Sequence, residues 1–277
     1  MKINCVPLVK LANGVEMPQT GLGTWPLDDA AAAQAVASAL QTGYRLVDTA
    51  ENYGNETGVG EGIRRAGIAR DAVFVTSKFN RQWHSVNGVR EACEASLKRL
   101  GLDYLDLLLV HWPNPDQDRY VDAFEGLVRL LEAGKVRAIG TSNFKPAHLQ
   151  RLFDAGFVPH VNQLQLDPWH TRDDIVAIHA ERGIVTQTWS PIGRGGELLA
   201  QDAIVSIAQR YGRTPAQIVL RWHTQRGFVP VPKSADPQRQ AQNLDIFDWR
   251  LTDEEMAAIN ALKRPEAGIL DSDTFGH

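Results

Sequence analysis

Four side chains that can hold or transfer a proton stand in or just after apolar runs of strand length. Asp48 and Tyr53 belong to LVDTAENYG, Lys78 belongs to VFVTSKF, and His111 belongs to LDLLLVHW. Each has a structural explanation by itself, because turn caps, surface charges, packed histidines and loop aromatics are all common. Together, at the ends of three successive strands, they indicate general acid catalysis, in which a phenol gives its proton to a carbonyl oxygen.

A phenol needs help to release its proton at neutral pH, because its ordinary pKa is about 10. An ammonium about 4 Å away favours the phenolate by about 4 kcal/mol at an effective dielectric constant of about 20, or about 3 pKa units. We therefore expect Lys78 to lower the pKa of Tyr53. Asp48 would keep Lys78 charged and oriented but opposes part of this shift, so the net effect should be smaller than that of Lys78 alone.

The substrate carbonyl would be aligned by His111, which would also share in proton delivery. None of the four side chains donates a hydride, so a cofactor must supply the electron pair. We expect no metal ion, because the sequence has no His-Glu-x-x-His or paired-cysteine motif and only His111 and Asp48 offer themselves as ligands. A metal-dependent barrel hydrolase is therefore the least favoured function.

The elements that must position these residues are eight apolar runs, each followed by a helical pattern. The runs are TGLGTW, RLVDTA, VFVTSKF, LDLLLVHW, VRAIGTSNF, PHVNQLQL, VTQTWSP and FVPVPKS. Apolar residues at helical spacing fill the intervals, and Thr214 and Thr252 begin capping boxes at predicted helix starts. The seventh unit carries two predicted helices, at roughly 201–211 and 215–226.

Strands that are buried on both faces and alternate with helices form parallel sheets. Eight such units predict a single α/β domain, residues 1–277, with the fold of a closed (β/α)8 TIM barrel. An N-terminal β-hairpin around Asn13-Gly14 precedes it. A doubly wound Rossmann fold is the alternative, but no Gly-x-Gly-x-x-Gly follows any strand. Because the C-terminal strand ends of a TIM barrel share one mouth, the four candidate catalytic residues should converge there.

The composition is that of a soluble globular protein. The chain has 277 residues, 43% hydrophobic and 22% charged, with a formal net charge of −4. This mild acidity and the lack of basic runs argue against a nucleic-acid partner. No stretch approaches the roughly 18 apolar residues of a membrane span, and the N-terminal MKINCVPLVK lacks the apolar core of a signal peptide. With only two cysteines, Cys5 and Cys93, we expect a cytoplasmic protein.

Several stretches resemble the aldo-keto reductase superfamily, most closely the prokaryotic group that includes 2,5-diketo-D-gluconate reductases. They are DTAENYGNE, VTSKF, LLLVHWP, AIGTSNF, VNQLQ, TWSPIGRG, TPAQIVLRW and VPKSADPQRQAQNLDIFD, and the resemblance runs from Asn13 to about Leu262. It implies that Tyr53 is the general acid, that NADPH lies across the barrel mouth with NADH as a weaker alternative, and that the protein is a monomer. It also implies that the C-terminal tail, PEAGILDSDTFGH, folds over the mouth.

The resemblance assigns residues to the cofactor. Trp189 would stack on the nicotinamide ring or, alternatively, pack against the eighth strand, and the 2′-phosphate would be held by residues that otherwise form a solvated charge cluster. Asp236 stands where relatives often carry a basic residue, which leaves the strength of the preference for NADPH open. The implied cofactor-binding residues are Ser142, Asn143, Gln163, Trp189, Ser190, Lys233, Ser234, Arg239 and Asn243.

The substrate side should be an apolar wall suited to small aldehydes, ketones or α-keto carbonyls. The expected substrate-binding residues are Trp25, Trp83, Trp112 and His111, to which the tail would add Leu270 and Phe275. Trp112 has an equally good alternative role as a cap on the barrel. His84 is interpreted as a solvent-exposed loop histidine.

The sequence therefore predicts an NADPH-dependent aldo-keto reductase whose partner is a small carbonyl compound. A cofactor-binding redox sensor or regulatory protein with slow turnover is the alternative from another functional class. The complete set of four candidate catalytic side chains argues against a purely structural role, but it is compatible with slow turnover.

Overall fold

The computed structural model describes residues 6–264 and 268–277. Cys5 and the first three residues of the predicted tail therefore lie outside the described residues. Within the described ranges, no helix is both long and apolar enough to cross a membrane. The chain forms an N-terminal hairpin, then strands that alternate with helices, then a C-terminal tail.

The hairpin consists of the antiparallel strands β1 (Leu8–Lys10) and β2 (Glu16–Pro18). It turns at Asn13-Gly14 as predicted, with Gly14 at a φ of 87°. Leu11 and Met17 are buried in one apolar cluster with residues of the barrel strands, several of which are the first residue of their strand. The hairpin therefore closes the N-terminal end of the barrel.

Eight parallel strands follow, and each pairs with its neighbours in chain order. They are β3 (Leu22–Gly23), β4 (Leu46–Asp48), β5 (Phe74–Phe79), β6 (Leu105–Val110), β7 (Val136–Ser142), β8 (Val161–Gln165), β9 (Val185–Trp189) and β10 (Val229–Pro230). Each of the eight predicted apolar runs contains one of these strands.

The last strand closes on the first, so the sheet is a barrel rather than an open Rossmann sheet. The amides of Gly21 and Gly23 donate to the carbonyls of Pro230 and Pro232, both at 3.1 Å. A Cβ on Gly23 would lie 2.7 Å from the carbonyl oxygen of Val231. This seam therefore depends on glycine, and the predicted (β/α)8 fold is confirmed.

Ten helices lie among the described residues. They are α1 (Asp29–Thr42), α2 (Glu56–Ala66), α3 (Val86–Leu100), α4 (Tyr120–Glu132), α5 (Pro146–Asp154), α6 (Asp173–Arg182), α7 (Asp202–Tyr211), α8 (Pro215–Gln225), α9 (Pro237–Leu244) and α10 (Asp253–Asn260). Both predicted capping boxes are present, at Thr214 and Thr252. The predicted pair of helices in the seventh unit is also confirmed as α7 and α8.

Residues 268–277 of the tail lie over the C-terminal mouth of the barrel, as predicted. The amide of Leu270 donates to Gln165 Oε1 at 3.3 Å. The amide of Arg81 donates to the carbonyl of His277 at 2.9 Å. The tail is thus attached to loops or strand ends on two sides of the mouth.

Helix α2 follows the loop that carries Tyr53, and two glycines allow it to pack closely on its neighbours. A Cβ on Gly58 would lie 2.1 Å from the Asp29 carbonyl oxygen of α1. A Cβ on Gly60 would lie 2.0 Å from the Leu100 carbonyl oxygen of α3. Because both obstacles are backbone atoms, α2 can keep these contacts only with glycine at both positions.

We predict that Gly60→Ala destabilises the protein, although alanine is the better helix former. Alanine gains about 0.5–1 kcal/mol over glycine within a helix, whereas overpacking against a fixed neighbour costs about 1–3 kcal/mol. Chemical denaturation should therefore give a lower free energy of unfolding for this variant. Thr57→Ala, at an exposed position of the same helix, should change little, and equal stability of the two variants would contradict the packing assigned to Gly60.

Candidate active site

The mouth of the barrel contains a cavity of about 740 Å³, a volume typical of small-molecule sites. It lies at the C-terminal ends of the strands, beneath the tail. The predicted residues that line it are Trp25, Asp48, Tyr53, His111, Trp112, Ser142, Asn143, Gln163, Trp189, Ser190, Lys233, Ser234, Arg239, Asn243, Leu270 and Phe275. Two predicted residues, Lys78 and Trp83, do not line it.

Lys78 projects from β5 and is fully buried. Its ammonium donates to Asp48 Oδ1 at 2.7 Å, to the Thr49 carbonyl at 2.9 Å and to Tyr53 Oη at 3.2 Å. These three bonds use all of its protons. Burial acts to lower the pKa of Lys78, but Asp48 and Tyr53 outweigh it and raise the pKa, so the ammonium stays charged at neutral pH. The structure thus brings Asp48, Lys78 and Tyr53 together.

The pKa of the Tyr53 phenol is raised from its ordinary value, opposite to the shift expected from the sequence. Burial has the largest effect and raises this pKa, the charge of Lys78 lowers it, and the charge of Asp48 raises it. The expectation was wrong because it counted the neighbouring charges without the loss of water around the phenol. The phenol therefore stays protonated throughout the neutral pH range.

His111 follows β6, and its ring stands edge-on to that of Tyr53, with the ring centroids 5.8 Å apart. Burial lowers the pKa of His111 well below its ordinary value, and the charges of Lys78 and His277 add to this effect. The imidazole is therefore neutral at neutral pH. Its Nδ1 atom is buried and has no hydrogen-bond partner in the described part of the chain.

A hydrogen bond from Gln163 orients the Asp48 carboxylate, and Gln187 in turn holds the Gln163 side chain. Gln163 Nε2 donates to Asp48 Oδ2 at 2.7 Å and to Gln187 Oε1 at 2.8 Å. The sequence analysis missed Gln187. Its signal was a polar residue two positions before Trp189 in a strand, which places both side chains on the same face.

The loop that carries Tyr53 is held from one side by a glutamate. Tyr53 ends a short 3-10 helix, Glu51–Tyr53. The Glu51 carboxylate accepts from the Trp83 indole N–H at 2.9 and 3.1 Å and from the Asn80 amide at 3.2 Å. Trp83, which was expected to contact substrate, instead lies outside the cavity because this hydrogen bond directs its indole towards Glu51.

Asn55 holds the same loop from the other side. Its Oδ1 accepts from Thr49 Oγ1 at 2.8 Å, and its Nδ2 donates to the carbonyls of Thr24 at 3.1 Å and Leu27 at 2.8 Å.

His84, which follows Trp83 in the chain, was expected to be a solvent-exposed loop histidine, and this expectation was wrong. Its side chain is buried, and burial lowers its pKa to about 4.

Asn143 connects the candidate cofactor residues to the candidate catalytic residues. Its Nδ2 donates to the His111 carbonyl at 3.1 Å and to Ser142 Oγ at 3.0 Å, and its Oδ1 accepts from the Trp189 indole N–H at 2.9 Å. The Trp189 ring is thereby held at the cavity wall. Asn143 and Ser190 both have positive φ, 64° and 50°, so the chain turns sharply after β7 and after β9.

The residues expected at the 2′-phosphate lie beside β10 and at the start of α9. The side chains of Lys233 and Arg239 are exposed, and neither forms an ion pair with a described residue. Ser234 Oγ donates to the Asp236 carbonyl at 3.2 Å. Asp236 Oδ1 accepts from the Arg239 amide at 2.8 Å, so this carboxylate caps α9 within the expected phosphate site.

The sequence analysis also missed cavity-lining residues on loops and on the tail. Examples are Asn52, Arg194 and His277. Arg194 lies in the glycine-rich stretch after β9, which signalled an irregular loop but gave no direction for its side chains. His277 belongs to the tail, where little periodicity was present to predict a position.

Residues 14–264 match the sequence profile of the Aldo/keto reductase family. The chain belongs to this family. It is 44% identical over 273 residues to methylglyoxal reductase DkgA of Yersinia pestis, and the alignment covers 98% of this chain and 98% of that protein. It is 43% identical over 270 residues to 2,5-diketo-D-gluconic acid reductase B of a Corynebacterium species, and this alignment covers 97% of this chain and 98% of that protein.

This aldo/keto reductase also has solved structural neighbours. A crystal structure of a Gox0644 mutant in complex with NADPH superposes with a TM-score of 0.94 at 38% identity, covering 98% of this chain and 99% of that one. Both the predicted family and the predicted barrel fold are confirmed.

We predict that Asp48→Asn lowers the free energy of unfolding by about 3–5 kcal/mol, because it leaves the buried Lys78 ammonium without its counter-charge. The expected accompanying change is a fall in the pKa of Lys78, since burial is then opposed less. Denaturant titration at neutral pH measures the first effect. Glu125→Gln, which breaks the exposed pair with Arg129, is the control and should cost less than about 1 kcal/mol; similar losses in both variants would contradict the role assigned to burial.

Proposed function

We propose that this protein is an NADPH-dependent reductase of small aldehydes, ketones or α-keto carbonyls, with Tyr53 as the proton donor. One observation carries the proposal. The Tyr53 hydroxyl lies 3.2 Å from the Lys78 ammonium, and Tyr53 lines the mouth cavity beside His111. As part of the same proposal, the enzyme is a cytoplasmic monomer.

In this proposal Tyr53 and His111 contact the carbonyl oxygen of the substrate, and Lys78 and Asp48 act through Tyr53. The oxygen accepts a hydrogen bond from Tyr53 Oη. It also lies next to the neutral ring of His111, which aligns the carbonyl group. NADPH, when bound, would supply the hydride that the carbonyl carbon accepts. Tyr53 gives its proton to the oxygen as negative charge develops there, and the Lys78 ammonium stabilises the phenolate that remains. Asp48 keeps Lys78 charged and oriented, and the phenolate regains a proton from water.

The residues that line the cavity fit a dinucleotide that carries phosphate groups, such as NADPH. The cavity reaches from Trp189, whose indole is held by Asn143, to Lys233 and Arg239, which are cations without carboxylate partners among the described residues. Unpaired cations beside a concave surface suit a phosphate group. A solved neighbour is itself in complex with NADPH, which supports the same cofactor here.

The substrate class is supported by the walls of the cavity and by the names of relatives. Trp25, Trp112, Leu270 and Phe275 give the cavity an apolar wall, which suits small carbonyl compounds. The two relatives are named for the reduction of methylglyoxal and of 2,5-diketo-D-gluconic acid. Both compounds are small and carry carbonyl groups.

We predict that Tyr53→Phe lowers kcat for a generic aldehyde by roughly 10²- to 10⁴-fold, because the proton donor is removed. NADPH binding, measured by quenching of tryptophan fluorescence, should be unchanged. Tyr104→Phe makes the same chemical change just before β6, at the other end of the barrel, and should leave kcat unaltered. Normal turnover by Tyr53→Phe would refute the acid role, and slow turnover by the unaltered enzyme would favour the sensor alternative.

We predict that Arg239→Ala raises KM for NADPH by roughly tenfold or more, because a charged hydrogen bond to the 2′-phosphate is lost. KM for NADH, which lacks that phosphate, should change much less. Gln238→Ala, at an exposed neighbouring position of α9, serves as the control and should affect neither cofactor. Equal increases for NADPH and NADH would remove Arg239 from the phosphate site.

A further inference from the structure

The loop after β9, residues 190–195, lines the cavity but has few hydrogen bonds of its own. Most of its residues belong to the cavity wall, namely Ser190, Pro191, Ile192, Arg194 and Gly195. Two turn bonds lie within the loop, from the Gly193 amide to the Ser190 carbonyl at 3.0 Å and from the Gly195 amide to the Ile192 carbonyl at 2.9 Å. Because neither bond joins the loop to another element, these turns do not fix its position on the barrel.

The connection to the rest of the protein comes from His223 on α8. This side chain is fully buried, and its Nε2 atom lies 2.9 Å from the carbonyl oxygen of Pro191. Among the described residues, this is the one hydrogen bond that reaches the backbone of the loop from outside it. Pro191 is itself buried, so its carbonyl depends on this imidazole for a hydrogen-bond donor from the protein.

The partners of His223 determine which of its ring nitrogens carries the proton. Burial lowers the pKa of His223 to about 3, although the bond to Pro191 opposes this shift, so the ring is neutral at neutral pH. A carbonyl oxygen can only accept, and Nε2 must therefore be the nitrogen that donates. Nδ1 then accepts from Thr188 Oγ1 at 3.3 Å. Since Thr188 belongs to β9, one neutral imidazole connects α8 both to the end of this strand and to the loop that follows it.

The loop begins directly after Trp189, the residue expected beside the nicotinamide ring. The Trp189 indole N–H donates to Asn143 Oδ1 at 2.9 Å, which holds the end of β9 on the cavity side. His223 holds Pro191, two residues later, from the helix side. Because the chain between these two points is so short, a displacement of Pro191 would move cavity-lining residues on both sides of it.

We infer, on the basis of the function proposed above, that His223 is a positioning residue for NADPH, which holds the loop after β9 in its cofactor-binding position through Pro191. His223 does not itself line the cavity, so it acts through the loop. Loss of its hydrogen bond leaves a buried carbonyl without a donor, which favours displacement of the loop. The expected defect is weaker binding of the cofactor rather than slower chemistry, since Tyr53 and Lys78 are not altered.

The test compares substitutions of His223 that remove or keep a donor for Pro191. His223→Phe keeps a ring for the contacts with Trp222 and Phe228, whose ring centroids lie 4.8 and 6.3 Å away, but it cannot donate. It should raise Kd for NADPH, measured by quenching of tryptophan fluorescence, by about tenfold. KM for NADPH should rise by a similar factor, with little change in kcat.

Two amide variants separate the hydrogen bond from the packing. His223→Gln places an N–H group near the position of Nε2 and should restore most of the affinity for NADPH. His223→Asn carries the same amide on a side chain that is too short to reach Pro191, so it should bind NADPH as weakly as His223→Phe. This pair also keeps the test decisive if His223→Phe does not fold.

Limited proteolysis supplies a readout that needs neither cofactor nor turnover. Trypsin cuts after arginine, and Arg194 is exposed within the loop. Cleavage between Arg194 and Gly195, identified by mass spectrometry, should be about tenfold faster in His223→Phe and His223→Asn, but not in His223→Gln. As a control, His160→Phe removes a histidine hydrogen bond with the Ile139 amide at the other end of the barrel, and it should change neither cleavage nor Kd.

Unchanged cleavage and unchanged Kd in His223→Phe and His223→Asn would overturn the inference. Equal losses in all three variants of His223 would also overturn it, because the hydrogen bond to Pro191 would then not be their cause. If the unaltered protein does not bind NADPH, the proposed function fails, whereas faster cleavage in the two variants without the donor would still identify His223 as the residue that holds the loop.

Discussion

A lysine ammonium that no solvent reaches sets the conditions that the rest of the site must meet. Removing such a group from water costs several kcal/mol unless protein acceptors replace the lost hydrogen bonds. Asp48, Thr49 and Tyr53 provide three acceptors for Lys78, and all three come from the end of β4 or the loop after it. The position of Tyr53 is therefore tied to the same buried charge that would stabilise its phenolate.

Burial also decides which groups at the mouth carry charge. Tyr53 and His111 are neutral at neutral pH, whereas Lys78 is charged and compensated by Asp48. A protonated phenol beside an oriented ammonium needs little rearrangement when its proton leaves, because the stabilising charge is already in place. The charges at the proposed reaction point are thus balanced within the protein.

Most of the fold could be predicted because its signals are local. Apolar runs of strand length correspond to β3 to β10, and Thr214 and Thr252 cap α8 and α10. The meeting of Asp48 and Lys78 then followed from the shared mouth of parallel barrel strands. Trp83 could not be placed in this way, since its direction depends on a hydrogen bond to Glu51, which is 32 residues away in the chain.

By itself, the sequence determined the order of the elements, the family and the side chains able to transfer a proton, because periodicity, caps and residue types can be read along the chain. Only the tertiary structure decided the sign of the pKa shift at Tyr53 and the bridge from Trp189 through Asn143 to His111. The physical reason is that desolvation and long-range hydrogen bonds arise only when distant segments pack together.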